Sequence, residues 1–222
     1  MKQTALLFDL DGTLVDSVPD LATAANRMLS ELGRAPLSEA EIATMVGDGV
    51  AKLVERALAA RQASGAPLAP AVARYTELYQ ASPTALTRPY PGVPRVLSEL
   101  REAGVALAVC TNKPEHATRL VLDGLDLARF FSVVVGGDSL AARKPDPAPL
   151  TLALGRLGVP AGAAVMVGDH RNDMLAARGA GVAGIFARYG YGFASLGELR
   201  PQAMIGSFAE LPQAFRAVLR GG

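Results

Sequence analysis

The chain has 222 residues, enough for one large domain or for a core domain with a smaller companion. Half of the residues are hydrophobic and 19% are charged, which fits a globular protein with a substantial core. The 22 basic and 21 acidic residues leave a net charge of +1, so bulk electrostatics argues against nucleic acid or an anionic membrane surface as a partner.

The first apolar run, Ala5 to Phe8, predicts a short buried strand ending in a cluster of acids. From Asp16 to Arg88 the pattern turns helical, with Leu21, Ala25, Met28, Leu29 and Leu32 at helix spacing and no strand. Further helices are predicted for Ser38 to Met45, Val50 to Gln62 and Pro70 to Gln80, and Pro89, Pro91 and Pro94 mark the exit. We read residues 16–88 as an all-helical cap domain inserted into an α/β core made of 1–15 and 89–222. In the core, strand-like runs at Val105 to Cys110, Val133 to Val135, Ala163 to Val167, Val182 to Ala187 and Ala203 to Ile205 recur. Between several of them lie helical segments at Val93 to Ala103, Pro114 to Leu122, Pro147 to Leu157 and Asn172 to Ala180. Such alternation predicts a Rossmann-like parallel sheet with helices on both faces, and ligands gather beyond the carboxyl ends of its strands.

Cys110 is the only cysteine, which excludes an internal disulfide framework and a cysteine-based zinc site. The run Gly179 to Gly184 satisfies G-x-G-x-x-G, but it follows a helix and leads into a strand, the reverse of a dinucleotide fingerprint. No apolar segment reaches the roughly 18 to 20 residues of a membrane span, and no basic stretch followed by a long apolar run opens the chain. A cytoplasmic location is the expectation.

Chemistry collects at four places, each after a separate strand of the presumed sheet, which makes one shared locus the simplest account. Asp9 and Asp11 lie two apart at a strand end and point the same way, so their carboxylates repel unless a cation joins them. Oxygen ligands of this kind suit a hard divalent metal, Mg²⁺ above all. Gly12 lets the backbone pass close to a ligand, and Thr13 can order the turn. Thr111, with Asn112 and Lys113 after it, offers a hydroxyl and backbone amides to a phosphoryl oxygen. Lys144, held before Pro145, projects a fixed positive charge. Asp169 supplies a third carboxylate, and Asp173, four residues on at a helix start, orders the shell around it.

In this order the residues resemble the haloacid dehalogenase superfamily, whose motifs match Asp9-Leu-Asp-Gly-Thr13, Thr111, Lys144 with its prolines, and Gly168-Asp169 through Asp173. The similarity is greatest to its bacterial phosphoglycolate phosphatases, through Leu14-Val-Asp-Ser17, Val46-Gly-Asp-Gly-Val50, Glu55-Arg-Ala-Leu58, Tyr90-Pro-Gly-Val93, Asn112-Lys-Pro114 and Tyr189-Gly-Tyr191-Gly. His170 departs from the serine usual in that group.

The resemblance implies a phosphatase acting on a small phosphorylated metabolite. Asp9 would be the nucleophile and Asp11 the acid and base, with Mg²⁺ on Asp9, Asp169 and the Asp11 carbonyl and with Asp173 beside it. Thr111 and Lys144 would cradle the phosphoryl group, with Gly12 and Asn112 lining it. Asp11 argues against a dehalogenase, which needs no second acid. A phosphomutase stays open, as do sugar phosphates, pyrophosphate and nucleotides as substrates. The cations expected to read the non-phosphate half are Lys52 or Arg56, following Gly47-Asp48-Gly49. Nothing in the residues speaks to oligomeric state.

Overall fold

The computed structural model describes residues 3–63 and 65–221. Strand β1 (Ala5–Phe8) is buried completely and lies at the centre of a six-stranded parallel sheet. Its chain leaves through a two-residue strand, β2 (Val15–Asp16), into helices α1 (Val18–Glu31), α2 (Glu39–Ala43), α3 (Val50–Ala60) and α4 (Leu68–Gln80). It returns through β3 (Arg88–Pro89). The core then runs α5 (Val93–Glu102), β4 (Ala106–Cys110), α6 (Glu115–Gly124), β5 (Val133–Val135) and α7 (Ala148–Leu157). It closes with β6 (Ala164–Gly168), α8 (Arg171–Gly179), β7 (Ala183–Ala187), β8 (Ala203–Ile205) and α9 (Leu211–Gly221). The strand order is β5-β4-β1-β6-β7-β8.

The central strands are apolar on both faces because helices cover both. Leu6, Phe8, Leu107, Val109, Val165 and Val167 join one apolar cluster with residues of α5, α6 and α9. Alternate residues, Leu7, Ala108 and Met166 among them, pack on the other side against Leu150, Leu154 and Ala177 of α7 and α8. All six strand runs read from the sequence are present, with ends shifted by at most one residue. Helix α4 starts at Leu68, earlier than the expected Pro70. A proline in a first turn removes an N–H that has no intrahelical partner anyway. Helix α2 opens on a reciprocal cap in which Ser38 accepts from the Glu41 amide and Glu41 accepts from the Ser38 amide.

Two elements escape the pattern reading. Strands β2 and β3 pair antiparallel, Val15 with Pro89 and Asp16 with Arg88, so the chain enters and leaves the four-helix segment through one narrow ribbon. The expected boundaries at 15/16 and 88/89 fall inside it. Beside the ribbon, the buried Asp20 of α1 accepts bonds from the Leu86 amide, the Thr87 amide and the Thr87 hydroxyl. Helix α9 was also unanticipated, although Leu211 and Phe215 are buried at helical spacing.

Candidate active site

Register decides which residues meet. Phe8 is paired with Val109 of β4 and with Val167 of β6, so three neighbouring strands end at nearly the same level. Asp9, Thr111 and Asp169 leave the sheet there, and Lys144 reaches in from the loop between β5 and α7. This is where sheets of this kind bind ligands.

Asp9 continues β1 by donating its amide to the Val167 carbonyl, and its carboxylate accepts from the Leu10 amide at 2.8 Å. Burial pushes its pKa up, Lys144 pulls it down, and Asp173 pushes it up again. The Lys144 ammonium lies 3.2 Å from Asp9 Oδ1, 2.6 Å from Asp173 Oδ1 and 2.7 Å from the Cys110 carbonyl. It is 3% exposed and donates to Asp173 and to the Cys110 carbonyl, with Asp9 at ion-pair distance. Burial works against this charge, but Asp173 and Asp9 outweigh it and hold the pKa above the ordinary lysine value.

Asp169 accepts from the Thr13 hydroxyl at 2.9 Å and from the backbone amides of Tyr191 and Gly192 at 2.9 and 3.2 Å. Burial, then Asp9 and then Asp173, push its pKa up to about 8. Asp173 sits in the first turn of α8, where it also accepts from the His170 amide at 2.9 Å. One carboxylate oxygen from each of Asp9, Asp169 and Asp173 lies within 4.8 Å of the others. Three buried carboxylates face a single buried ammonium, and Asp169 makes no ion pair with it. Clustered hard oxygen donors with an uncompensated negative charge fit a divalent cation well. Gly12, at φ +82°, is required here: a Cβ would stand 2.4 Å from Asp169 Oδ2.

The Asp11 carboxylate lies outside that cluster. It pairs instead with Lys113, both oxygens 3.1 Å from the ammonium. Asp11 and Lys113 border a cavity with Asp9 and Thr111, closed on the far side by Val50 and Leu53 of α3 and Tyr75 and Tyr79 of α4. Thr111 holds its backbone in the sheet through the Val135 carbonyl, and its hydroxyl accepts from the Lys113 amide at 3.2 Å.

Asn112, expected to bind phosphate, spends its amide group on two carbonyls, Lys144 at 2.8 Å and Gly47 at 2.9 Å. Asn172 donates to Asp48 at 2.7 Å, so two core asparagines grip the loop before α3. His170 packs beside that loop, and its Nδ1 accepts from the Asn172 amide at 3.3 Å. Burial lowers the His170 pKa, which favours the neutral imidazole.

Lys52 and Arg56 are not brought to the cavity. Lys52 makes an exposed pair with Glu55, its side chain 57% exposed. Arg56 is tied to Asp48 and to the Met45 carbonyl, where it braces the loop. The cation that borders the cavity is Lys113, one of only four lysines in the chain and next to a motif already singled out. The Tyr191 amide was equally unanticipated, because a backbone donor leaves no mark in residue identity.

The family follows from sequence comparison. Residues 6–187 match the haloacid dehalogenase-like hydrolases, and the chain belongs to that family. It is 45% identical over 213 residues to the phosphoglycolate phosphatase of Rhodospirillum rubrum, covering 93% of this chain and 88% of that protein. It is 43% identical over 214 residues to the enzyme of the same name from Neisseria meningitidis, covering 93% and 91%. Among solved structures, a predicted phosphoglycolate phosphatase from Haemophilus somnus superposes with a TM-score of 0.89 at 31% identity, covering 96% and 98%. CbbY from Rhodobacter sphaeroides, solved in complex with phosphate, superposes with a TM-score of 0.79 at 28% identity over 94% and 96%.

Proposed function

We propose that this protein is a Mg²⁺-dependent phosphatase that hydrolyses a small phosphate monoester, 2-phosphoglycolate first among the candidates, through a phosphoenzyme on Asp9. The observation that carries the reading is the junction of Asp9, Lys144, Asp169 and Asp173 at the ends of adjacent strands. The relatives named above supply the activity class and the substrate name, and the CbbY structure shows that a protein of this fold binds phosphate.

Mg²⁺ would be held by Asp9 and Asp169, by the Asp11 carbonyl, and by or close to Asp173. When bound it supplies positive charge for the phosphoryl oxygens, which an anionic nucleophile otherwise has to approach unaided. The chain does the rest. An Asp9 carboxylate oxygen attacks phosphorus, the bond from phosphorus to the ester oxygen breaks, and that oxygen takes a proton from Asp11. Asp11 then removes a proton from water as the water attacks phosphorus, and the bond to Asp9 breaks to release inorganic phosphate. Lys144 would fix the attacking carboxylate and favour its charged form against the effect of burial. Thr111 and the Lys144 ammonium would meet the negative charge that spreads over the phosphoryl group in the transition state.

The four helices between β2 and β3 act in this reading as a cap over the site, entering and leaving through the ribbon. The cavity beneath them holds about 60 Å³, and a water needs about 10–15 Å³ on that scale. A leaving group of a few heavy atoms fits, which supports glycolate over a sugar or a nucleoside. Among the described residues no helix is long and apolar enough to cross a membrane.

The test is phosphate release from 2-phosphoglycolate, a hexose phosphate, a nucleotide and pyrophosphate, with Mg²⁺ and with chelator. Release that needs Mg²⁺ and prefers 2-phosphoglycolate supports the proposal. No release from any ester overturns it, and a product that keeps its phosphate at a new position replaces it with a phosphomutase.

A further inference from the structure

The cavity under α4 carries more polar atoms than the phosphoryl chemistry uses. Tyr75 and Tyr79 lie four residues apart on one helical face, their rings parallel within 3° and 6.2 Å apart. Both are buried, at 2% and 4% exposure, yet among the described residues neither hydroxyl has a hydrogen-bond partner. Asn112 Oδ1, on the core side of the same cavity, is also buried without one. Buried polar atoms are almost always paired, so three unpaired ones around one cavity point to a polar occupant.

Lys113 gives that occupant a sign. Its ammonium has three donors, and Asp11 occupies one face of it. The Tyr79 ring covers another face at 4.4 Å from its centroid, which leaves an N–H for a ligand. Burial opposes the charge, but Asp11 and Tyr79 together outweigh it and keep the ammonium protonated. Burial also raises the pKa of both tyrosines, so their hydroxyls keep their protons and donate. A cation and two phenolic donors make a site for an anion, and Leu21, Val46, Val50 and Leu53 line the rest of the cavity.

We infer that Lys113, Tyr75 and Tyr79 form the subsite that binds the carboxylate of the substrate's leaving group. The substrates would then be small phosphate esters bearing a carboxylate close to the ester oxygen. Lys113 would join the two halves of the site, one side on Asp11 and the other on the substrate acid. This deepens the phosphatase reading and rests on it for the position of the phosphoryl group.

The test compares binding of 2-phosphoglycolate with binding of ethyl phosphate, an ester of similar size without the acid. Asp9→Asn serves as the slow-turnover background, and calorimetry with Mg²⁺ present gives both dissociation constants. The background is expected to prefer 2-phosphoglycolate by about 30-fold or more, as loss of a buried charge pair implies. Adding Lys113→Met should abolish most of that preference, and adding Lys113→Arg should restore part of it. Adding Tyr75→Phe or Tyr79→Phe should each reduce it by about 3- to 10-fold.

If Lys113 only positioned Asp11, Lys113→Met would weaken both ligands alike and leave their ratio unchanged, which overturns the inference. So does a background protein that binds the two ligands equally. Should Lys113→Met fail to fold, the double variant Tyr75→Phe/Tyr79→Phe decides by the same ratio. Failure of the phosphatase reading would appear separately, as wild-type protein releasing phosphate from neither ester.

Discussion

Lys113 holds both carboxylate oxygens of Asp11 at 3.1 Å, turning that side chain away from the three-carboxylate cluster around Asp9. Two aspartates only two residues apart therefore occupy different electrostatic settings. Asp9 lies against Lys144 and close to the other metal-ligand candidates, while Asp11 borders the cavity under α3 and α4.

Lys144 pairs with two buried carboxylates at once, so its loss should damage fold and turnover together. Lys144→Met is expected to cost about 3–5 kcal/mol of stability, because Asp9 and Asp173 are left as uncompensated charges. Turnover should fall by about 10²–10³ or more through lost transition-state charge stabilisation. Urea unfolding and steady-state kinetics at saturating Mg²⁺ measure both. A variant with wild-type stability would show that the buried pairing is not needed for the fold.

The raised pKa of Asp169, about 8, gives a pH dependence of definite sign. In the unfolded chain this carboxyl titrates near the ordinary value of about 3.9, so between roughly pH 4 and pH 8 the folded metal-free protein binds the extra proton. Stability therefore falls as pH rises through that window. Bound Mg²⁺ favours the ionised form and should oppose the fall. Melting temperatures with chelator should drop from pH 5.5 to pH 8. Adding Mg²⁺ at one fixed concentration, 100 times its dissociation constant at pH 8, should recover about 2.7 kcal/mol at pH 8, or roughly 5–10 °C in a chain of this size, and less at pH 5.5. An equal effect of Mg²⁺ at both pH values would contradict this.

Much of the core was legible because its strands are continuous apolar runs and its site residues are chemically unusual for strand ends. Asp9 and Asp169 could be placed from pattern alone. What pattern missed depends on contacts distant in sequence. The ribbon of Val15–Asp16 with Arg88–Pro89 is too short for periodicity and joins residues more than 70 positions apart. Asn112 looked like a phosphate ligand, yet its donors go to Gly47 and Lys144 carbonyls whose positions only the fold defines. Lys52 and Arg56 followed a glycine-rich turn, but Glu55 of α3 and Asp48 of the loop before it pair with them and hold both away from the cavity. Lys113 could have been weighed from its rarity, and Tyr75 with Tyr79 from their spacing of four.

The loop before α3 is clamped by Asn172 on Asp48 and by Asn112 on Gly47. Asn172→Ala is expected to lower stability by about 1 kcal/mol and kcat/KM by roughly 10-fold. Hydrogen exchange should rise at residues 46–50, with strands β1 and β6 unchanged. Faster exchange in the strands as well would mean that Asn172 supports the core rather than the loop.

Gly12 leaves no room for a side chain. Gly12→Ala would press a methyl group onto the Asp169 carboxylate and force φ +82° on a residue with a Cβ. Mg²⁺ affinity should fall at least 10-fold, read by calorimetry on folded protein. Unchanged affinity would separate Asp169 from the metal.

The central claim is that Asp9 is the nucleophile, and trapping the phosphoenzyme tests it most directly. Wild-type protein is mixed with 2-phosphoglycolate and Mg²⁺, quenched during turnover and treated with borohydride, which reduces an aspartyl phosphate to homoserine. Mass spectrometry of the peptide around residue 9 should find homoserine at Asp9 and at no other acid. It should vanish when substrate or Mg²⁺ is omitted. An unmodified Asp9 during measured turnover, together with an Asp9→Asn variant that still releases phosphate at the wild-type rate, would contradict the account.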